Sequence, residues 1–563
     1  MFRIVTHRVA GFVFSNGWFW RLVQRVPGLR EWINGAYISA VVNSTPPRPY
    51  PFSLWSPGTT PADYHPPPLY RAPTQVTDYV SWTGLVDRGY TGRHLPPVSP
   101  APDLPALDDL RELFARRKNP AGQEVMLTST SSALFCFFAQ WFTDSFLRTD
   151  RTDARRNTSN HEIDLCQIYG LNAAQADILR SKVGGELRMR PSRSGDLLPF
   201  LYQQGGPPGE PAPLDPLYKD LPYAPGLDDL IEGVAGAWAL EPSRRNLTYA
   251  TGLERGNSTV FYTSISTMFA REHNRLARAM KKAQPGWDDD RLFALARNTN
   301  IVMLLRIIIE EYINHLSGAK FKVFVERRYA ERQRWYRTNR ICLEFDLLYR
   351  WHSLPPGAVE LDGAPLDQKD FRYNNALVEK LGPESLIDAA SHTRAGRIGV
   401  FNTPYFLLDA DLASVSFGRM FQLAPFNDYR KHFGMAPYKS IAELAGDDRT
   451  TALLEKLYPG GVDDVELVIG LLAEDRYAGA PLGDVMRTMV GVDAFSQALT
   501  NPLLSENIFG EPAFGKLGIA AINETRRFAD IVARNAAPGA RHDARFAVDG
   551  GLASGRRSGR SSR

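Results

Sequence analysis

The stretch 298–317 restricts the fold more than any other. Ile301-Val302-Met303-Leu304-Leu305 and Ile307-Ile308-Ile309 make it apolar on most faces, and Gly318 follows as a stop signal. Such a helix is stable only inside a shell of other helices. The chain has 563 residues, enough to build that shell and a deep core. Nowhere do 18 apolar residues follow one another, so no helix is expected to span a bilayer. With 44% hydrophobic and 23% charged residues, the balance excludes wholesale disorder, collagen and coiled coil.

Further helices are expected over 107–117, 128–148 and 261–282, and over 340–352 up to Pro355-Pro356-Gly357. Alternating strand patterns are few and no repeat of 20–50 residues is present, so the class is mainly α. Residues 1–45 mix Phe2, Phe12, Phe14, Trp18, Phe19, Trp20 and Trp32 with Arg3, Arg8, Arg21, Arg25 and Arg30. They carry one acid, Glu31. Short helices with rings on one side and arginines on the other suit the surface of a membrane; packing of the rings on the protein's own core is the other reading. Residues 46–105 are proline-rich and read as an extended wrapping segment, 106–535 as the catalytic domain, and 536–563 as a disordered basic tail. No signal-peptide pattern opens the chain, so a peripheral membrane or cytoplasmic location is expected.

Charge adds exclusions. The 66 basic and 62 acidic residues leave a net charge of +4, too balanced to argue for a nucleic-acid partner. Cys136, Cys166 and Cys342 lie far apart without a CxxC pair, which excludes a disulfide framework or a cysteine-paired zinc site and suits a reducing compartment. No Walker loop, GxSxG elbow or dinucleotide GxGxxG is present, and His161-Glu162 lacks the second histidine of a zinc-protease helix.

Two segments carry chemistry. In Tyr349-Arg350-Trp351-His352, a helix would put Tyr349 and His352 at i and i+3 on one face. An imidazole there can ligate iron, with the phenol near the macrocycle edge; a satisfied core Tyr–His pair reads the same way. In Phe137-Phe138-Ala139-Gln140-Trp141-Phe142-Thr143-Asp144, Gln140 and Asp144 share one face of a greasy helix and need polar partners. An iron-bound water or peroxide would serve. So would solvent, or Arg148 one further turn along.

Together these segments resemble the cyclooxygenase branch of the animal-type haem peroxidase superfamily, which also holds plant α-dioxygenases and fungal linoleate dioxygenases. The similarity runs from Val26-Pro27-Gly28-Leu29-Arg30 to Ile519-Ala520-Ala521-Ile522-Asn523. It passes through Asp164-Leu165-Cys166-Gln167-Ile168-Tyr169-Gly170, Arg271-Glu272-His273-Asn274-Arg275, Glu311-Tyr312-Ile313-Asn314-His315 and Phe426-Asn427-Asp428-Tyr429-Arg430. Arg350 in Tyr-Arg-Trp-His looks more like the fungal and plant enzymes than the animal ones, which carry histidine there. The resemblance implies a multi-helical haem peroxidase-like catalytic domain behind monotopic membrane-binding helices. It implies haem b with His352 as the proximal iron ligand and His161 on the distal side. Tyr349 is implied as the radical tyrosine, Tyr312 as its hydrogen-bonding neighbour, Gln140 as the distal glutamine, and Ser496 and Trp351 as channel residues. The implied partners are an unsaturated fatty acid, O2, a membrane surface and a second copy in a homodimer.

Departures from the family pattern bear on activity. Asp144 stands where the family has its distal histidine, and a shorter acid–base group there implies weak peroxidase activity. Val41 and Ala319 stand where the family anchors the substrate carboxylate, with Arg48 as a nearby substitute. Val468 replaces a tyrosine near the proximal ligand. The expected function is therefore a haem-dependent fatty-acid dioxygenase. The alternatives are a peroxidase of small phenols or halides and a non-catalytic haem or lipid-binding protein.

Overall fold

The computed structural model describes residues 17–43, 50–51, 91–150, 156–317, 321–327, 329–333, 335–336, 341–476 and 480–548. Two helices open the described chain, α1 (Gly17–Val23) and α2 (Pro27–Val42). Pro27 starts α2, where a missing N–H breaks no helical bond. The N-terminal aromatics divide. Trp20 is buried against Phe321 with ring centroids 5.2 Å apart, which corrects the expectation of a single outward aromatic face. Leu22, Val26, Leu29 and Trp32 are exposed, Trp32 to 70%. Phe2, Phe12 and Phe14 lie outside the described residues, as do 52–90 of the proline-rich segment. Where that segment returns, strand β1 (Gly92–Arg93) is fastened to the core: the buried Arg93 guanidinium donates to the carbonyls of Phe421 (2.7 Å) and Gln422 (3.1 Å).

The helix expected over 128–148 is shorter. Thr128-Ser129-Thr130-Ser131-Ser132 form strand β2 (Thr128–Ser132), because hydroxyl side chains compete with a helical backbone. The Ser132 hydroxyl then accepts the Phe135 amide at 3.2 Å and caps α3 (Ala133–Thr143). Helix α4 (Val260–Ala283) matches the expected 261–282 and begins at a Thr259 cap. Helix α5 (Asp289–Ile307) continues through a π-helical turn, Ile308–Ile313, into a last helical turn, Asn314–Ser317. By length and composition Asp289–Ser317 could cross a membrane, yet 78% of its apolar stretch is buried inside the protein. It is a core helix.

Around these rods stand α6 (Leu343–Leu348), α7 (Pro383–His392), α8 (Leu408–Met420), α9 (Asp484–Leu499), α10 (Glu511–Glu524) and α11 (Phe528–Asn535). Helices α3, α5, α7 and α11 pack on α4, α10 lies along α5, and α9 bridges α2 and α6. Among the described residues, strands pair only as two-stranded antiparallel ribbons, β2 with β3 (Arg394–Gly396) among them. Phe135, Phe138 and Phe142 recur at helical spacing on α3 and surround Tyr312, with centroids 5.0, 6.3 and 4.8 Å away. The C-terminal stretch 536–548 is packed rather than loose. Phe546 is buried 4.9 Å from Phe138, and the Arg545 carbonyl accepts the Ser132 hydroxyl. Residues 549–563 lie outside the described residues.

Candidate active site

Helix α6 stops at Leu348, four residues short of the His352 that a shared helix face requires. Tyr349 caps it with φ −89° and ψ 13°, and the Trp351 amide donates to the Tyr349 carbonyl at 2.8 Å. That tight turn ends the helix, so Tyr349 and His352 are brought together by a loop and not by a shared helix face. Asp346 braces the turn, accepting from Arg350 Nη2 at 2.8 Å and from the Thr149 hydroxyl at 2.7 Å.

Tyr349 is half-buried in a cage of rings, 4.6 Å from Trp351, 5.1 Å from Phe345 and 6.3 Å from Phe142. Burial raises its phenol above the ordinary range. The neighbouring Tyr312 hydroxyl works in the opposite direction, and the Asp493 carboxylate adds to the rise. The phenol is therefore neutral at any physiological pH, so oxidation must remove a proton along with the electron. Tyr312 is buried in the π-helical turn, where one extra residue per turn re-aims the side chains. Its hydroxyl meets full hydrogen-bond geometry with no described group, yet it lies close enough to Tyr349 for the two phenols to shift each other's acidity.

His352 follows on the loop. Its Nδ1 lies 2.7 Å from Asp411 Oδ1, on α8, and Asp411 Oδ2 accepts the Thr403 hydroxyl at 2.7 Å. A carboxylate on Nδ1 sets the tautomer that leaves Nε2 with its lone pair free, the arrangement metal-ligating histidines show. Nε2 makes no hydrogen bond among the described residues, and 20% of the side chain remains accessible amid buried neighbours. This donor chemistry fits an iron porphyrin. Asp411 and Thr403 went unnoticed in the sequence; they lie 59 and 51 residues downstream, in segments with no marked pattern.

Gln140 and Asp144 close α3. Gln140 Nε2 donates to the Ser258 hydroxyl at 3.3 Å. Asp144 is buried and pairs through Oδ1 with Arg255 Nη1 at 3.3 Å, while Arg148 takes Glu254 at 2.9 Å. The partner expected within the helix is thus replaced by one from the loop before α4. Asp144 Oδ2 and the Tyr262 hydroxyl are buried and meet full hydrogen-bond geometry with no described group, yet they lie close enough together for Tyr262 to lower the Asp144 carboxyl. Burial raises the Asp144 carboxyl above the usual range, and Arg255 and then Arg148 oppose it.

The remaining residues are placed as follows. Ser496 is buried in α9 and its hydroxyl donates to the Asp493 carbonyl at 3.1 Å. Trp351 is buried against Tyr349, its indole nitrogen without a described partner. His161 is buried at φ 65°, and its Nδ1 accepts the Ile341 amide at 3.1 Å, tying it to the loop that enters α6. Val468 is a core residue. Val41 faces α9, where a methyl on Gly491 would stand 2.7 Å from it, so only glycine permits this approach of α2. Arg48 and Ala319 lie outside the described residues. A cavity of about 840 Å3 opens beside α2, lined by charged groups such as Arg30, Glu310, Lys322 and Arg527; the residues above do not border it.

Residues 125–381 and 396–543 match the family model of the animal haem peroxidases. Prostaglandin G/H synthase 1 of Mus musculus is 32% identical over 464 residues, 80% of this chain and 71% of that protein. Among solved structures, peroxidase A of Dictyostelium discoideum superimposes with a TM-score of 0.61 at 20% identity, covering 80% of this chain and 93% of its own. The fatty acid α-dioxygenase of Oryza sativa does so with a TM-score of 0.63 at 16% identity, covering 94% and 95%.

Proposed function

Since the chain belongs to the animal haem peroxidase family, and is a haem-dependent oxidoreductase, we propose that it is a dioxygenase of unsaturated fatty acids working through a radical on Tyr349. The observation that carries this reading is the phenol of Tyr349, caged by Phe345, Trp351 and Phe142 three residues from a histidine whose Nε2 is free for iron. An apolar cage protects a radical from water and receives a hydrocarbon chain.

His352 would hold the haem iron, steadied by Asp411 and Thr403. Haem bound there supplies the one-electron oxidation that turns Tyr349 into its radical. Tyr312, beside the phenol, positions the hydroxyl and takes part in its proton movement. The phenoxyl oxygen removes one hydrogen atom from a substrate C–H bond, leaving a carbon radical. O2 adds to that carbon, and the peroxyl radical takes a hydrogen atom back from Tyr349, which restores the phenoxyl. Ser496 on α9 would border the chain of the substrate. Gln140 and Asp144 would handle a peroxide, with Asp144 as the proton-transfer group. The exposed Leu22, Val26, Leu29 and Trp32, beside Arg21 and Arg25, support attachment of α1 and α2 to a membrane surface from which substrate enters.

The test is mass spectrometry of products from haem-loaded protein given O2 and a panel of saturated and unsaturated fatty acids. Products heavier by O2 from the unsaturated members are expected. Turnover of small phenols with peroxide, and no fatty-acid product, would establish the peroxidase reading instead.

A further inference from the structure

Three segments distant in the sequence meet at the entry of α6, close enough to Tyr349 for Asp493 to act on its phenol. His94 follows β1, Cys342 precedes α6 and Asp493 lies in α9. One imidazole nitrogen, the thiol sulfur and one carboxylate oxygen all stand within 4.8 Å of one another, and all three residues are buried. His94 Nε2 and Asp493 Oδ2 are 3.0 Å apart. The backbone around the cluster is fixed: Gly92 bridges to Cys342, and Glu344 Oε1 accepts the His94 amide at 2.9 Å.

We infer that His94, Cys342 and Asp493 form a binding site for one divalent transition-metal ion, with zinc as its natural occupant. The donor set decides the class of metal. Sulfur and imidazole beside a single carboxylate suit a borderline-soft ion and are the wrong ligands for calcium or magnesium, which take oxygen. Charge points the same way, because a thiolate and a carboxylate with a neutral imidazole balance a 2+ ion in an interior where unpaired charge is costly. Ligand atoms around a tetrahedral zinc stand roughly 3.3–3.8 Å apart, so the 3.0 Å His94–Asp493 pair must open slightly and any spacing near 4.8 Å must close by roughly an ångström to seat an ion. Glu344 Oε2 is buried beside the cluster with no hydrogen-bond partner among the described residues, and Glu344 Oε1 accepts the His94 amide; a neutral, protonated Glu344 would keep the charge balance while bordering the fourth position.

A buried nucleophile triad is disfavoured, because His94, Cys342 and Asp493 are all buried. A metal here would staple β1, the entry of α6 and α9, and thereby hold both the Tyr349 turn and the Ser496 helix. The site stands whether or not Tyr349 is the reacting residue. Cysteine spacing hid it, since a single cysteine draws its co-ligands from positions about 250 and 150 residues away.

The test is metal analysis and X-ray absorption on the full-length, haem-loaded protein after equilibration with zinc and desalting. About one zinc per chain beyond the haem iron is expected. Its first shell should hold one sulfur at about 2.3 Å and nitrogen or oxygen at about 2.0–2.2 Å. Cys342→Ala should lose the sulfur and at least tenfold in zinc retention, and His94→Ala should lose zinc likewise. Zinc below a tenth of stoichiometric in the wild type overturns the site, as does a shell of nitrogen and oxygen alone. The wild-type spectrum decides the matter even where a variant fails to fold.

Discussion

Asp411 Oδ1 lies 2.7 Å from His352 Nδ1, and the Thr403 hydroxyl holds the other oxygen of the same carboxylate at 2.7 Å. An anionic partner makes an imidazole a stronger donor and stabilises the higher charge of ferric iron. Asp411→Asn should therefore raise the ferric/ferrous potential of the bound haem, read by spectroelectrochemical titration. Asp411→Ala should weaken haem binding about 10–100-fold, and His352→Ala should abolish it. Haem retained with an unaltered spectrum in His352→Ala would remove His352 as the ligand.

If Asp144 is the proton-transfer group for peroxide, it and Arg255 should set a pH limb: it would act as a base only when ionised, and burial holds its carboxyl above the usual range while Arg255 pulls it down. Peroxide turnover should fall as pH drops through that raised value. Arg255→Ala removes the opposing cation, so the limb should move to higher pH. Asp144→Asn should abolish the limb and lower the peroxide reaction about 10²–10⁴-fold.

A second pH effect falls on stability. Glu311 accepts the Phe528 amide at 2.7 Å at the start of α11, and burial pushes its carboxyl up to about 7. A value raised above the unfolded one means that the folded state holds the proton more tightly. The stabilisation is complete below the ordinary carboxylate range and is lost as pH rises through about 7. Glu311→Gln keeps an acceptor and removes the charge. It should raise the unfolding free energy in denaturant at pH 8 by an amount on the order of 2 kcal/mol and change it little at pH 5.

The aromatic knot is a stability element. Phe138 is fully buried between Tyr312, Phe528 and Phe546. Phe138→Ala should cost about 3–5 kcal/mol in denaturant unfolding.

Legibility followed the range of the forces involved. The α4 rod and the core helix are written in local apolar periodicity: α4 lies within a residue of the expected 261–282, whereas the core helix ends at Ser317 as expected but starts at Asp289, nine residues before 298, because its first turns are polar and capped by Asp288. The Tyr349–His352 turn was misjudged because leucine-rich residues up to Leu348 favour helix, while one backbone bond from Trp351 to Tyr349 ends it. Phe546 shows the same limit: a Gly/Arg-rich neighbourhood hides a single ring that docks between Phe135 and Phe138. At the site, the sequence itself presents Tyr349 and His352 as a motif. Their partners Asp411, Thr403 and Arg255 were not, since tertiary folding alone brings them in.

Every step of the proposed oxygenation depends on hydrogen abstraction by the Tyr349 phenol. Its most direct test is oxygen uptake by haem-loaded protein with an unsaturated fatty acid, wild type against Tyr349→Phe, with haem content matched by absorbance. Uptake by the wild type and a loss of at least a hundredfold in the phenylalanine variant, which still binds haem, is the predicted result. Undiminished uptake by Tyr349→Phe would contradict the account.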